Sequence, residues 1–195
     1  MNSLSFGSLN GDWRRMARGF LRMKEEGCEE LFDEAEKLLE ERISPGYTWR
    51  LCPIEFSDAG VKCLGTGLVL PGGDIRRHLS GCERASLMCV TLGEGAESAV
   101  RTAAGISQAL GAVTDAAASA FAELAADAAE KEIAAAVGAA ETASRFSPGY
   151  GDLPLGIQGD FLASLNAKRT LGVALSKGGL MLPRKTVTAV IGVKK

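Results

Sequence analysis

The chain has 195 residues, of which 46% are hydrophobic and 24% are charged, and its formal net charge is −2. This length suits a single domain, and the apolar fraction is too high for a disordered chain. A net charge near zero argues against a polybasic surface that binds nucleic acid or membrane. There is no continuous apolar run of about 18 residues and no basic-then-apolar leader. We therefore predict a cytoplasmic protein without a membrane span.

Cysteine and histidine are too few and too scattered for the common metal and catalytic sites. The cysteines number five, and no two have the close spacing of a zinc site: Cys28, Cys52, Cys63, Cys82 and Cys89. We expect reduced thiols rather than a disulfide framework. His78 is the only histidine, so a Ser-His-Asp triad or a histidine metal site would have to use it. It follows two arginines, and we predict a solvated polar residue.

The predicted elements begin with helices, continue with strands and helices, and end with strands. In chain order the patterns predict a helix over 13–42, strands over 47–56 and 67–70, a short helix over 74–79, a buried strand over 84–92, helices over 94–110 and 112–140, a helix over 156–166 and a pair of strands within 171–193. This order predicts an α+β domain with a mixed or antiparallel sheet packed by long helices. We predict that residues 1–46 form a helical segment that packs on an α+β unit, 47–195, within one structural domain.

Two of the predicted helices have unusual compositions. Nine of the seventeen residues from Glu25 to Glu41 are acidic, which is typical of a solvated face and also suits a docking surface for a basic partner. Fifteen of the twenty-nine residues over 112–140 are alanine, the best helix former. Thr114 or Asp115 is expected to cap this helix. Apolar residues of this helix recur at spacings of three and four, which places them on one face: Val113, Ala117, Phe121, Leu124 and Ala128.

A glycine motif, Gly93-Glu-Gly-Ala-Glu-Ser98, follows a predicted strand and opens a predicted helix. A dinucleotide-binding loop would lie at such a place, which leaves a Rossmann-like nucleotide enzyme as a weaker alternative. However, its last position is Ser98, and Glu94 and Glu97 would repel a pyrophosphate. An ordinary strand-to-helix turn is the favoured interpretation.

The hexapeptide Arg145-Phe-Ser-Pro-Gly-Tyr150 places a guanidinium, a rigid turn and an aromatic hydroxyl close together. Arginine can bind a carboxylate through two parallel hydrogen bonds, and the turn exposes backbone groups around Ser147. Such a loop suits a small zwitterionic ligand. Arg42-Ile-Ser-Pro-Gly-Tyr47 repeats nearly the same hexapeptide, so an ordinary helix-ending turn stays an equal alternative for both copies.

A longer run around the second hexapeptide carries a family resemblance. From Arg145 to Leu155 the sequence resembles the activation (reactivation) domain of cobalamin-dependent methionine synthase, and its stand-alone bacterial relatives most closely. The family signature R-x-x-x-G-Y matches Arg145, Gly149 and Tyr150. Segments 87–93, 114–123 and 181–189 resemble the same family in chain order, with Thr186 where the family has serine. The likeness covers about 47–193 and favours the second hexapeptide over the first.

The resemblance implies a C-shaped α+β domain that binds S-adenosylmethionine in a shallow groove. In that family the domain presents the methyl donor to cob(II)alamin, and one electron comes from flavodoxin in the best-known members. By resemblance, Arg145 would hold the methionine carboxylate, the backbone around Ser147 would meet the adenosine part, Gly149 would shape the turn and Tyr150 would flank the ligand. The protein would supply binding and orientation and no catalytic residue, as an accessory component of a methyltransferase.

The sequence departs from the family pattern in two places. A D-W-T-P-F-F segment near the domain's start has no counterpart, and Gly151-Asp-Leu-Pro154 replaces the P-A-C-P of long methionine synthases. The cobalamin-binding and substrate-binding modules cannot fit into 195 residues, so we expect cobalamin on a partner chain, either a methionine synthase or another corrinoid protein. The alternative is a non-catalytic interaction or regulatory module that has lost the ligand and works through its acidic helix.

Overall fold

The computed structural model describes residues 2–9, 11–23, 27–138 and 142–194. Within these residues the chain forms eight β-strands and seven α-helices. The strands are β1 (Asn2–Ser3), β2 (Gly46–Ser57), β3 (Gly60–Cys63), β4 (Leu68–Leu70), β5 (Arg84–Thr91), β6 (Ala174–Leu175), β7 (Met181–Leu182) and β8 (Thr186–Val193). The helices are α1 (Trp13–Leu21), α2 (Glu29–Glu40), α3 (Gly73–His78), α4 (Gly95–Ile106), α5 (Gln108–Val137), α6 (Gln158–Ser164) and α7 (Ala167–Leu171).

The main sheet pairs its strands antiparallel throughout. Its order is β4-β3-β2-β5-β8, and β1 pairs with the start of β2. The long strand β2 has two successive partners, since residues 46–53 pair with β5 and residues 54–57 pair with β3. This change of partner along one strand gives a curled sheet rather than a flat one. β6 and β7 form a separate two-stranded hairpin.

The inner strand β5 contributes side chains to two hydrophobic cores, because successive side chains of a strand point to opposite faces. Met88 and Val90 are buried in a core that includes residues of α1, α2, α4 and α5. Leu87 and Cys89 are buried in the second core, with residues of α3, α6 and α7. The sheet is therefore covered on both faces, and β5 consists almost entirely of buried residues, as the sequence predicts.

The alanine-rich helix α5 lies at the centre of the first core. It begins at Gln108, earlier than predicted, and the cap is the hydroxyl of Ser107, which accepts a hydrogen bond from the Leu110 amide at 3.1 Å. The prediction that Thr114 or Asp115 caps it is wrong. Thr114 is buried inside the helix and donates to the Leu110 carbonyl. Among the described residues α5 is the one helix long and apolar enough to span a bilayer, yet 72% of that window is buried in the protein, which is typical of a core helix.

The N-terminal region forms two helices where the sequence pattern predicts one. Arg22 ends α1 with φ of 56°, and Cys28 precedes α2 with φ of 61°. Both values lie in the left-handed region, which interrupts an α-helix. The indole of Trp13 lies between two aromatic rings, with centroid distances of 5.9 Å to Phe32 and 5.0 Å to Phe121. Helices α1 and α2 are thereby anchored to α5. The sequence patterns also do not predict β1, β3 or α7, and the predicted pair of strands within 171–193 is three strands, β6, β7 and β8.

The acidic face of α2 is partly neutralised within the protein. Arg14 on α1 contacts three of its carboxylates, at 3.2 Å for Glu29, 2.7 Å for Asp33 and 2.8 Å for Glu36. Arg18 contacts Glu29 as well. These ion pairs join the two helices, so part of the acidic surface is an internal contact. Residues 25 and 26 of the predicted acidic helix lie outside the described residues.

Candidate functional site

The segment that precedes the second hexapeptide runs along the outer edge of β8. The Ala143 amide donates to the Gly192 carbonyl at 2.8 Å, and Phe146 and Val190 exchange hydrogen bonds at 2.9 and 2.8 Å. Since β5 pairs with the other edge of β8, these hydrogen bonds hold residues 143–146 as a short strand-like segment at the edge of the sheet. Arg145 is thereby held at the margin of the sheet.

The turn from Ser147 to Tyr150 has the geometry that its sequence demands. The Tyr150 amide donates to the Ser147 carbonyl at 3.0 Å, with Pro148 and Gly149 between them. Gly149 has φ of 98°, as the third residue of a type II turn requires. Proline sets the second position and glycine the third, so the Pro-Gly pair specifies the turn.

The two copies of the hexapeptide adopt different structures. In the first copy Gly46 begins β2, and Tyr47 is 4% exposed and donates its hydroxyl to Glu132. Burial, with the added effect of Glu132, raises the pKa of Tyr47 to about 12. In the second copy Tyr150 is 56% exposed. The first copy is therefore a core anchor, while the second leaves its tyrosine available at the surface.

Three of the four predicted site residues line one cavity of about 240 Å³. It is bounded by side chains of α5, of the segment before the turn, of the turn itself and of β8: Glu123, Glu130, Ser144, Arg145, Ser147, Tyr150 and Val187. Gly149, the fourth predicted residue, shapes the turn beside this cavity.

Arg145 faces a row of three carboxylates on α5. Its guanidinium nitrogens lie 2.6 Å from Asp127, 3.2 Å from Glu130 and 3.4 Å from Glu123. The spacing of four and three residues puts all three acids on one helix face. The Arg145 side chain is only 19% exposed, and its Nη1 atom is buried without a hydrogen-bond partner among the described residues. Nε and Nη2 already contact the acids of α5. Arg145 can therefore bind a ligand carboxylate through two parallel hydrogen bonds only if one acid moves away.

The site carries a net negative charge, because three carboxylates contact one guanidinium and two of them, Glu123 and Glu130, line the cavity. Burial raises the pKa of Glu130, and the neighbouring Asp127 raises it further, while Arg145 lowers it. Such a site complements a ligand that carries positive charge beside a carboxylate. These acids are not among the site residues predicted from the sequence. Their regular spacing on an otherwise apolar helix is the signal that could have found them.

His78 is not simply solvated, contrary to the prediction. Its Nε2 atom lies 2.7 Å from the carbonyl oxygen of Ser144, and its ring lies 5.0 Å from the ring of Phe146. Because a carbonyl only accepts, Nε2 carries the proton in this contact. His78 therefore helps to hold the segment that carries Arg145. Among the described residues, no group of three or more His, Cys, Asp and Glu side chains is arranged to hold a metal ion.

The glycine motif at the start of α4 has a packing role. A Cβ atom at Gly95 would overlap the carbonyl oxygen of Arg42, so the helix could not approach the connection between α2 and β2. Gly93 has φ of 77°. A larger cavity of about 630 Å³ opens beside this motif, and its lining includes both acidic residues such as Glu94 and Glu97 and basic residues such as Lys185. An antiparallel sheet also lacks the parallel β-α-β unit of a dinucleotide site, and the Rossmann-like alternative is wrong.

Comparison with known proteins places the fold. No protein family and no curated protein matches the sequence. Among solved structures the chain is similar to the crystal structure of the MetH reactivation domain bound to AdoHcy, with a TM-score of 0.71 and 13% identity over 98% of this chain and 77% of that chain. The predicted fold class, a C-shaped α+β domain with a mixed or antiparallel sheet packed by long helices, is confirmed, and the sheet is antiparallel. The chain has the fold of the MetH reactivation domain.

Proposed function

We propose that this protein is a stand-alone S-adenosylmethionine-binding subunit that supports reductive remethylation of cob(II)alamin in a methionine synthase encoded on another chain. The observation that carries the proposal is the cavity at Arg145. It joins a guanidinium, one nitrogen of which has no hydrogen-bond partner within the described part of the chain, with an exposed tyrosine and a row of carboxylates, in a chain with the fold of a domain solved with AdoHcy.

The residues present fit the chemistry of this ligand. The Nη1 atom of Arg145 is buried and has no hydrogen-bond partner among the described residues, and it becomes a donor for the methionine carboxylate once one of the α5 acids moves away. The carboxylates of Glu123 and Glu130 complement the ammonium and the sulfonium, both of which are positively charged. Ser147 and Tyr150 complete the lining with hydroxyl and backbone groups. When bound, S-adenosylmethionine supplies the methyl group, and this chain's residues hold and orient it.

The small size of the cavity suits a donor that must reach an acceptor on another protein. Its volume of about 240 Å³ is below the usual range of roughly 300–1,000 Å³ for pockets that bury a drug-sized ligand. A ligand held there stays partly open to the surface. Tyr150 and Leu155, at 56% and 68% exposure, provide apolar area beside the turn, and Leu155 lies against Gly149. We propose that a cobalamin-bearing partner docks against this rim.

Isothermal titration with S-adenosylmethionine tests the binding step. Replacing Arg145 by alanine is expected to weaken binding by about 1.5–3 kcal/mol, or roughly 10- to 150-fold, because a charge-assisted hydrogen bond is lost. Arg42→Ala is the matched control, since Arg42 holds the same place in the first hexapeptide, where it donates to Thr102. Equal affinity of the Arg145 variant and the wild type would move the site elsewhere.

A second experiment tests the partner. The protein is mixed with a cobalamin-dependent methionine synthase that lacks its activation domain, with S-adenosylmethionine and a reduced flavodoxin-like donor. Recovery of methionine formation that requires Arg145 supports the proposal. Binding of S-adenosylmethionine without recovery points to a different corrinoid methyltransferase. If the wild type shows no binding under conditions where a MetH reactivation domain binds, the non-catalytic interaction module becomes the better explanation.

A further inference from the structure

The short helix α3 contacts both ends of the loop that carries the candidate site. At the first end, His78 binds the Ser144 carbonyl and its ring lies against Phe146. At the second end, the backbone of Gly73 and Asp74 meets the side chain of Asp152. The Arg145 turn lies between these two anchor points, although α3 precedes it by about seventy residues in the sequence. No side chain of α3 lines the cavity itself.

The second anchor consists of two aspartates that bind each other's backbone. Asp152 accepts hydrogen bonds from the amides of Gly73 and Asp74, at 2.6 and 3.0 Å. In return, one carboxylate oxygen of Asp74 accepts from the Asp152 amide at 3.2 Å. The other oxygen of Asp74 contacts Arg77. These backbone hydrogen bonds lower the pKa of Asp152, so its carboxylate is ionised at neutral pH.

Two glycines make room for this pair of aspartates. Gly72 has φ of 119° and Gly151 has φ of 51°, both in the region that favours glycine. A Cβ atom at Gly72 would overlap the carboxylate of Asp152. A Cβ atom at Gly151 would overlap the carboxylate of Asp74. The close approach of the two segments therefore depends on both glycines, one on each side.

We propose that Asp74 and Asp152 form a two-way backbone clamp that positions the Arg145–Tyr150 turn for its ligand, with His78 holding the other end of the loop. This inference rests on the proposed function, because its consequence is measured at that site. Asp152 acts as a positioning residue. Asp152 lies two residues after Tyr150, the last residue of the turn. It is enclosed by a hydrogen bond from the Leu153 amide to the Tyr150 carbonyl at 3.0 Å, so its position is coupled to that of the turn. A preorganised turn avoids the ordering cost that a loose loop incurs when ligand binds.

The test measures the affinity for S-adenosylmethionine and the backbone protection together. Asp152→Ala removes both accepted bonds, whereas Asp152→Asn keeps one acceptor. We expect roughly tenfold weaker binding for the alanine variant and an intermediate loss for the asparagine variant. Hydrogen exchange of the Gly73 and Asp74 amides should accelerate in the same order without ligand. Gly151→Ala should reproduce the loss, since it opens the clamp without removing a carboxylate.

Two variants serve as controls. Asp160→Asn removes a charge from an exposed aspartate whose side chain has no hydrogen bond among the described residues, and Gly156→Ala places a Cβ where nothing lies within 4 Å. Both should bind like the wild type. If Asp152→Ala shows faster amide exchange but unchanged affinity for S-adenosylmethionine, the positioning role is contradicted and Asp152 has a purely structural role. Unchanged exchange contradicts the clamp itself. Absence of binding by the wild type contradicts the proposed function instead, and the exchange data still decide whether the clamp exists.

Discussion

The three carboxylates on α5 make Arg145 important for stability as well as for binding. We consider Arg145→Met, which keeps the apolar stem and removes the charge. Exposed ion pairs contribute about 0–1 kcal/mol, and loss of one partner from a buried pair costs about 3–5 kcal/mol. Arg145 is 19% exposed and its partners are more exposed, so we expect a loss of about 1–2 kcal/mol at neutral pH.

The pH dependence of this loss tests its cause. The variant lacks the interaction with Arg145 that lowers the pKa of Glu130, so that pKa, already raised by burial, rises further. Between the ordinary glutamate value and the raised one, the folded state binds more protons than the unfolded state. Stability of the variant therefore increases as the pH falls through this window, and its deficit relative to the wild type shrinks.

Urea unfolding at about pH 7.5 and about pH 5 measures both quantities. Arg169→Met is the matched control, because Arg169 is exposed and has no ion pair among the described residues. It should change stability by less than about 0.5 kcal/mol. Adding Glu130→Gln to the Arg145 variant should recover part of the loss. The reasoning is refuted if Arg145→Met is as stable as the wild type at neutral pH, or if its deficit grows on acidification.

Three further changes test the packing. Gly95→Ala should lower the free energy of unfolding in urea by at least about 2 kcal/mol, because its Cβ overlaps backbone. Gly105→Ala lies in the same helix with nothing within 4 Å of its Cβ, and it should raise that free energy by about 0.5–1 kcal/mol. Equal effects of the two variants would contradict the close approach at Gly95. Ser107→Ala should lower the free energy of unfolding by about 1 kcal/mol through loss of the α5 cap, whereas Ser107→Asp should keep most of that stability. An unchanged unfolding midpoint for Ser107→Ala would show that the cap does not stabilise the helix. A thiol reagent should label Cys28 rapidly in the native protein and the other four cysteines only after unfolding, since Cys28 alone of the five is exposed; fast labelling of a second thiol would contradict the described burial.

The elements that sequence reasoning predicted well are those with local signals. The apolar run of β5 and the alanine content of α5 are strong patterns, and both elements are present. The break between α4 and α5 was predicted at residue 111, but it lies at Ser107, a single extended residue with φ of −155° and ψ of 151°. Gly111 lies within α5. The break after α1 was not predicted, because the left-handed residue that ends the helix is Arg22 rather than a glycine, the residue that usually marks such a position. The curled arrangement of the sheet came from the family resemblance, since no local pattern encodes it.

The candidate site was predicted only where its residues are close in sequence. The pair Pro148-Gly149 specifies a turn from local chemistry alone, and Arg145 stands two residues before that turn. Glu123 and Asp127 are 22 and 18 residues away from Arg145, and they reach it only because the chain reverses after α5. The reciprocal aspartates are 78 residues apart. Such pairings depend on tertiary packing, which periodicity does not report.

The bonds between residues 143–146 and the outer edge of β8 have a consequence for self-association. An uncovered strand edge presents free amides and carbonyls to any other extended chain. Here the chain covers that edge with the same segment that carries Arg145. Variants that loosen the loop would therefore expose a pairing edge at the moment they lose a ligand contact. Aggregation should accompany loss of binding in the most disruptive of them, which ties the solubility of this protein to the integrity of its candidate site.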